Sequence, residues 1–174
     1  RMFSSHAKIF KKAYLIKTKD FLNKINRIEL PYKADIAIAS AGGFPKDINF
    51  YQAQKVLEIS TKALKNNGKI LLVAECIEKF GHRVFEKCVK NQMTSIEVNK
   101  QMKKEFKFGM HKLFYLNKLS KNFDLYLYSS FTKEETESMH MKKIESIDRF
   151  VCDNETGNKF YITTQGGIVY PVVV

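Results

Sequence analysis

Two short runs of the chain are apolar without a break, Ile36 to Ala39 and Ile70 to Ala74. Runs of this length with no polar alternation suit strands covered on both faces. Between them, Ala53, Val56, Leu57, Ile59, Ala63 and Leu64 recur near helical spacing. The pattern predicts a strand over Asp35–Ser40, a helix over about 49–65 and a strand over Lys69–Glu75. Asp47 or Asn49 can cap the helix, and Gly68 reads as the C′ residue that ends it. A strand–helix–strand unit of this kind crosses over right-handed and leaves its strands parallel.

The flanking pattern extends this scheme. Ile9, Phe10, Ala13, Ile16, Phe21, Leu22 and Ile25 predict helix over 4–29, stopped by Pro31. Helices are expected over His82–Lys90, Ser95–Phe106, Met110–Lys121 and Ser146–Cys152. Another starts near Thr132, where Thr132 and Glu135 have capping-box spacing. Phe123–Ser129 alternates as a strand does, and Lys159–Thr164 and Ile168–Val174 read as strands around Gln165-Gly166-Gly167. No repeat or linker interrupts the chain. The expectation is one α/β domain over 1–174, a three-layer sandwich with a largely parallel central sheet and helices on both faces.

Composition narrows the class. A 174-residue chain that is 44% hydrophobic can bury roughly two-thirds of its unfolded surface in one domain. No apolar run reaches the roughly 18 residues of a membrane span, and the first residues lack a secretion-signal pattern. Arg1 ahead of Met2 reads as a cut or an added residue. Cys76, Cys88 and Cys152 are odd in number and widely spaced, which speaks against a disulfide framework or zinc site and for a reducing, cytoplasmic setting. Cys76 reads as a small core residue. The net charge of +12 is almost all Lys, because Arg occurs only at 1, 27, 83 and 149. These Lys are mixed with acids along the chain, as on a solvated surface. Their densest cluster, Lys100–Lys112, is where phosphate contacts would be sought.

The candidate chemistry lies where the first strand feeds the helix. A strand end opening into a helix start exposes N–H groups at the carboxyl edge of the sheet, where open α/β sheets place ligands. Gly42 and Gly43 permit positive φ there, as a ligand loop or as an ordinary tight turn. The pattern is neither G-x-G-x-x-G nor a P-loop. Tyr51, Gln52 and Lys55 share one side of the first helical turns. Lys55 can attract an anion, Gln52 offers a donor and an acceptor, and Tyr51 offers a hydroxyl and a ring. Together they suit a small hydroxy acid; the competing reading is a solvated helix face. His6, His82, His111 and His140 are far apart in sequence, and each reads as a packing or surface residue. His111 stands out, with Gly109 before it and Lys112 after it.

The stretches ADIAIASAGGFPKDINFYQAQK (34–55) and ALKNNGKILLVAEC (63–76) resemble the C-terminal domain of nickel-dependent lactate racemases. The likeness rests on P-K-D-I-N, then Y-Q and a Lys three residues after the Gln. A looser likeness runs to about 130 and includes FGMHK at 108–112. The resemblance implies a two-domain enzyme that interconverts enantiomers of lactate or a related 2-hydroxy acid. In that family a nickel pincer cofactor takes and returns the α-hydride, and two histidines move the hydroxyl proton. It further implies that Tyr51, Gln52 and Lys55 line the substrate site, with Lys55 on the substrate carboxylate and Gln52 hydrogen-bonded to the substrate. The groups that hold the cofactor and move the proton belong to the family's N-terminal domain, which this chain lacks. The expectation is therefore no catalytic residue and no metal ligand here, no cofactor bound by this chain alone, and no activity alone. Its expected partners are its own N-terminal domain and a 2-hydroxy acid, with no membrane partner and nucleic acid not favoured. The family often supplies an aromatic wall from a Trp, which this chain lacks; Tyr115 is the candidate substitute.

Two alternatives stand beside this one. ALKNNGKILLVAE also resembles a late strand of methyltransferases, without their upstream glycine motif. A Lys-rich binding or regulatory module contacting nucleic acid would show affinity that falls steeply with salt.

Overall fold

The computed structural model describes residues 26–174. Most of the helix expected over 4–29 lies outside them, as does His6. The last residues of that stretch are not helical. Asn26–Leu30 forms strand β1, which pairs in parallel with Val169–Val173, the last strand, β7. Arg27, Ile28, Glu29 and Leu30 alternate polar and apolar, so an extended chain suits them once a partner strand is at hand.

The main sheet has five strands, all parallel, in the order β5-β4-β3-β2-β6. They are β2 (Ala34–Ser40), β3 (Leu64–Val73), β4 (Asp124–Tyr128), β5 (Lys142–Lys143) and β6 (Phe160–Thr163). The helices are α1 (Phe50–Ala53), α2 (Lys55–Ser60), α3 (Arg83–Lys90), α4 (Ser95–Lys104), α5 (Met110–Leu119), α6 (Lys133–Ser138) and α7 (Ile147–Cys152). From β2 to β5 the chain steps across the sheet in one direction. It then returns past β2 to lay down β6. Right-handed crossovers put helices on opposite faces when the direction of travel reverses. The two cores follow this rule. Phe50, Leu57, Phe85, Val98, Leu113 and Leu116 from α1 to α5 pack on one face. Phe150 of α7 packs with Ile36, Ile38 and Leu71 on the other. The expected α/β architecture with a parallel sheet and helices on both faces is the one observed.

Local signals set most boundaries. Thr94 and Glu97 form a capping box at α4, and Thr132 and Glu135 form one at α6. Three expectations change. The helix expected over 49–65 bends at Gln54 and ends in a 3-10 turn, Thr61–Ala63, so that Leu64 already belongs to β3. Gly68 is not a helix C′ residue. It lies in a bulge where the register jumps from Ala34↔Leu64 to Ile36↔Lys69. A Cβ there would stand 2.9 Å from the Asp35 carbonyl oxygen, so close backbone approach selects glycine. Finally, β6 and β7 do not pair with each other. β6 edges the main sheet beside β2, and β7 joins β1.

The cysteines are free, with Cys76 and Cys88 buried and Cys152 exposed. Burial first, then repulsion from Asp47, pushes the Cys76 thiol up to about 12, and burial also raises Cys88. A thiol reacts as its thiolate. Brief iodoacetamide treatment of the native protein is therefore expected to label Cys152 and spare the other two, as read by peptide mass mapping.

Candidate functional site

The site begins where β2 ends. Ala41 N–H donates to the Val73 carbonyl (3.0 Å), and Gly42 N–H donates to Ser40 Oγ (3.1 Å). Gly42 and Gly43 take φ of 95° and 74°, and the turn they make carries the chain to Asn49. Asn49 is the N-cap of α1: its Oδ1 accepts from Gln52 N–H at 3.1 Å, and its Nδ2 donates to Glu78 at 3.2 Å. The loop after β3 is laced to this segment. Cys76 N–H donates to the Asp47 carbonyl (2.8 Å) and Glu78 N–H to the Ile48 carbonyl (2.9 Å). In return, Phe50 N–H donates to the Lys79 carbonyl (2.9 Å) and Tyr51 N–H to the Phe80 carbonyl (3.2 Å). This corrects the expectation of free N–H groups at the helix start. They are consumed by the neighbouring loop and the cap, so an anion here must be held by side chains.

The three residues expected to line the site share one side of this turn. Lys55 Nζ donates to Gln52 Oε1 at 2.8 Å, across the bend at Gln54. Gln52 and Lys55 are exposed, while Tyr51 is half-buried, and burial raises its hydroxyl above the usual phenol range. They form an open wall at the carboxyl edge of the sheet. A separate polar hollow lined by Asp35, Lys65, Asn67, Lys69 and Asn158 sits at the opposite edge.

Tertiary packing adds residues that sequence reasoning had kept apart. His82, at the start of α3, stacks on Tyr51 with ring centroids 4.8 Å apart and planes 21° from parallel. Phe108 lies 6.5 Å from Tyr51, 6.0 Å from His82 and 5.2 Å from His111. Gly109 (φ 104°) lets His82 lie against the backbone, for a Cβ there would stand 2.6 Å from His82 Nδ1. Lys112, in the first turn of α5, holds its Nζ 5.4 Å from the centre of the Tyr51 ring. Neither His82 Nδ1 nor His111 Nδ1 has a hydrogen-bond partner among the described residues. Burial, then the charges of Lys112 and His82, hold His111 below the usual imidazole range. His82 is a packing residue, as expected, and what it packs on is the aromatic group around Tyr51. The signal available in sequence was Gly109-Met110-His111-Lys112; nothing local to His82 marked it. Tyr115 is half-exposed and packs edge-on against Phe114 at 6.0 Å. His82 and Phe108 are the aromatic rings that stand beside Tyr51.

Chemically, this wall offers an ammonium, an amide, a phenol and aromatic faces. Among the described residues no three His, Cys, Asp or Glu side chains come together to hold a metal ion. No described helix is long and apolar enough to cross a membrane.

The family model described as the lactate racemase C-terminal domain matches residues 30–164, well over half of the chain. The lactate racemase of Thermoanaerobacterium thermosaccharolyticum is 36% identical over 83 residues, which is 48% of this chain and 18% of that protein. The structure of the lactate racemase apoprotein from that organism superposes with a TM-score of 0.76 at 24% identity, covering 90% of this chain and 39% of that one. A crystal structure of a Thermotoga maritima protein superposes with a TM-score of 0.67 at 14% identity, covering 95% of this chain and 43% of that one. The chain thus spans less than half the length of the proteins it matches, and the two superpositions speak to fold.

Proposed function

This chain belongs to the lactate racemase C-terminal domain family, and from that premise we propose that it forms the substrate-facing half of a 2-hydroxy-acid racemase cleft. The observation that carries this reading is the Lys55–Gln52 pair, joined at 2.8 Å in the helical turn that Tyr51 opens. A 2-hydroxy acid has one carboxylate and one hydroxyl. Lys55 holds the carboxylate as a charge-assisted pair. The Gln52 amide accepts from or donates to the hydroxyl, and Tyr51 walls the substrate's apolar side. Side chains must do this binding, because the first-turn N–H groups of α1 are already bonded.

The nickel pincer group that the family resemblance implies finds no donor set here, since no metal-binding cluster occurs among the described residues. In this proposal that group and the proton-moving residues come with an N-terminal domain that closes over the wall. This domain binds and orients, and performs no step alone. The nucleic-acid and methyltransferase readings are not favoured by the family match.

The test is the full-length protein, matured with its cofactor and given a single enantiomer of lactate and of several other short 2-hydroxy acids. Chiral chromatography is expected to show the opposite enantiomer accumulating for at least one of them. No interconversion of any by the loaded protein would overturn the proposal.

A further inference from the structure

His82 fits its own surroundings poorly. It stands at the N-cap of α3, where Ser, Thr, Asp or Asn would bond a first-turn N–H. Asn49, Thr94, Thr132 and Ser146 do so at α1, α4, α6 and α7. The His82 side chain makes no such bond. Its Nδ1 is buried without a hydrogen-bond partner among the described residues, which is a second cost. The backbone beside it must also give room. Gly109 takes φ of 104°, and a Cβ there would stand 2.6 Å from His82 Nδ1 and 3.2 Å from the Phe85 amide nitrogen. Against these costs stands one contact, the stack of the imidazole on the Tyr51 ring at 4.8 Å and 21°. Proteins break local rules of this kind at functional sites.

We propose that His82 is a positioning residue for the 2-hydroxy-acid reaction, fixing the plane of the Tyr51 ring and the direction of its hydroxyl at the substrate wall. The bond from Tyr51 N–H to the Phe80 carbonyl (3.2 Å) fixes the main chain of Tyr51 but leaves its side chain free to turn. The stack on His82 holds the ring, and Gly109 lets His82 lie where it can do so. Tyr51 belongs to a stretch that carries the family resemblance, whereas His82 lies between two such stretches. The inference rests on the reading of Tyr51 as part of the substrate wall.

His82→Ser in the full-length, cofactor-loaded protein separates positioning from packing. Serine can supply the missing cap, and it removes the stack. The melting temperature is expected to stay within about 2 °C of wild type or to rise. In the same preparation kcat/KM is expected to fall about tenfold or more, as small misplacements at a reacting centre do. It is measured on the fastest of lactate, 2-hydroxybutyrate and 2-hydroxysuccinate. His82→Phe keeps a flat ring on Tyr51 and is expected to hold kcat/KM within about threefold, with His82→Gln replacing a Phe variant that does not fold. Because His82 acts through Tyr51, adding His82→Ser to Tyr51→Leu should lower kcat/KM no further. Full activity in His82→Ser, a loss matched by a fall in melting temperature, or additive losses in the double variant would each overturn the inference. Its premises fail separately. Unchanged turnover in Tyr51→Leu would take Tyr51 out of the substrate site, and this inference with it, while leaving the racemase reading in place. Wild-type protein inert on all three acids would remove both.

Discussion

Lys55→Ala in the full-length, cofactor-loaded protein is expected to lower kcat/KM by about thirtyfold to a few thousandfold. That range is the rate equivalent of about 2–5 kcal/mol, the cost of truncating one partner of a desolvated charge pair. The reasoning starts from the local geometry. The Lys55 ammonium is oriented by Gln52 at 2.8 Å and has no competing carboxylate within 4.0 Å among the described residues. Once a second domain covers the wall, a substrate carboxylate there has lost its water, and removing the ammonium leaves it unpaired. Folding should hardly notice, because Lys55 is exposed and the helix around it is anchored by buried Val56 and Leu57. Steady-state kinetics and a melt on the same preparation therefore give a clean comparison. Near-normal turnover would remove Lys55 from the substrate site.

Gly81→Ala is expected to have the largest effect on stability. Gly81 has φ of 70°, and a Cβ there would stand 2.1 Å from Asn49 Cγ. The new methyl group must displace the very side chain that caps α1 and ties it to Glu78. Backbone strain costs about 1–3 kcal/mol, and the lost cap costs about 0.5–2 kcal/mol. For a chain of this size each kcal/mol lowers the melting temperature by about 2–4 °C. A fall of roughly 5–15 °C is thus expected in a thermal melt, with substrate binding weakened as well, since Tyr51 and Gln52 follow the cap directly. A melting temperature within a degree or two of wild type would show that the loop after β3 is free to move away, and that Asn49 does not set the helix start.

The two effects differ because they act on different levels of organisation. Lys55 stands on the exposed surface, with its ammonium hydrogen-bonded to Gln52. Gly81 is itself exposed, but it stands against the Asn49 side chain, at the end of the ladder joining residues 47–51 to residues 76–80. The wall is as firm as that ladder, which explains how an exposed, polar helix start holds one orientation.

Much of this was legible in residue order. The apolar runs at 36–39 and 70–73 are strands because both faces of a central parallel strand are covered, and the period between them is helical because one face of α1 and α2 packs on the sheet. Asn49, Thr94 and Thr132 cap helices by short-range hydrogen bonds that need only neighbouring residues. Tyr51, Gln52 and Lys55 share a side for the same local reason. Contacts between distant parts of the chain decided the rest. Residues 26–30 become a strand because β7, at the far end of the chain, lies alongside them. Helix α2 gives way to β3 early because Leu64 finds Ala34. The N–H groups of Phe50 and Tyr51 are taken by carbonyls from residues 79 and 80. His82, Phe108, His111 and Lys112 gather around Tyr51 only when α3 and α5 pack on the sheet. Periodicity and capping act over about one helical turn and so can be read along a line of residues. The partners of a charge or a ring lying tens of residues away depend on how layers stack, and that arrangement exists only in the folded chain.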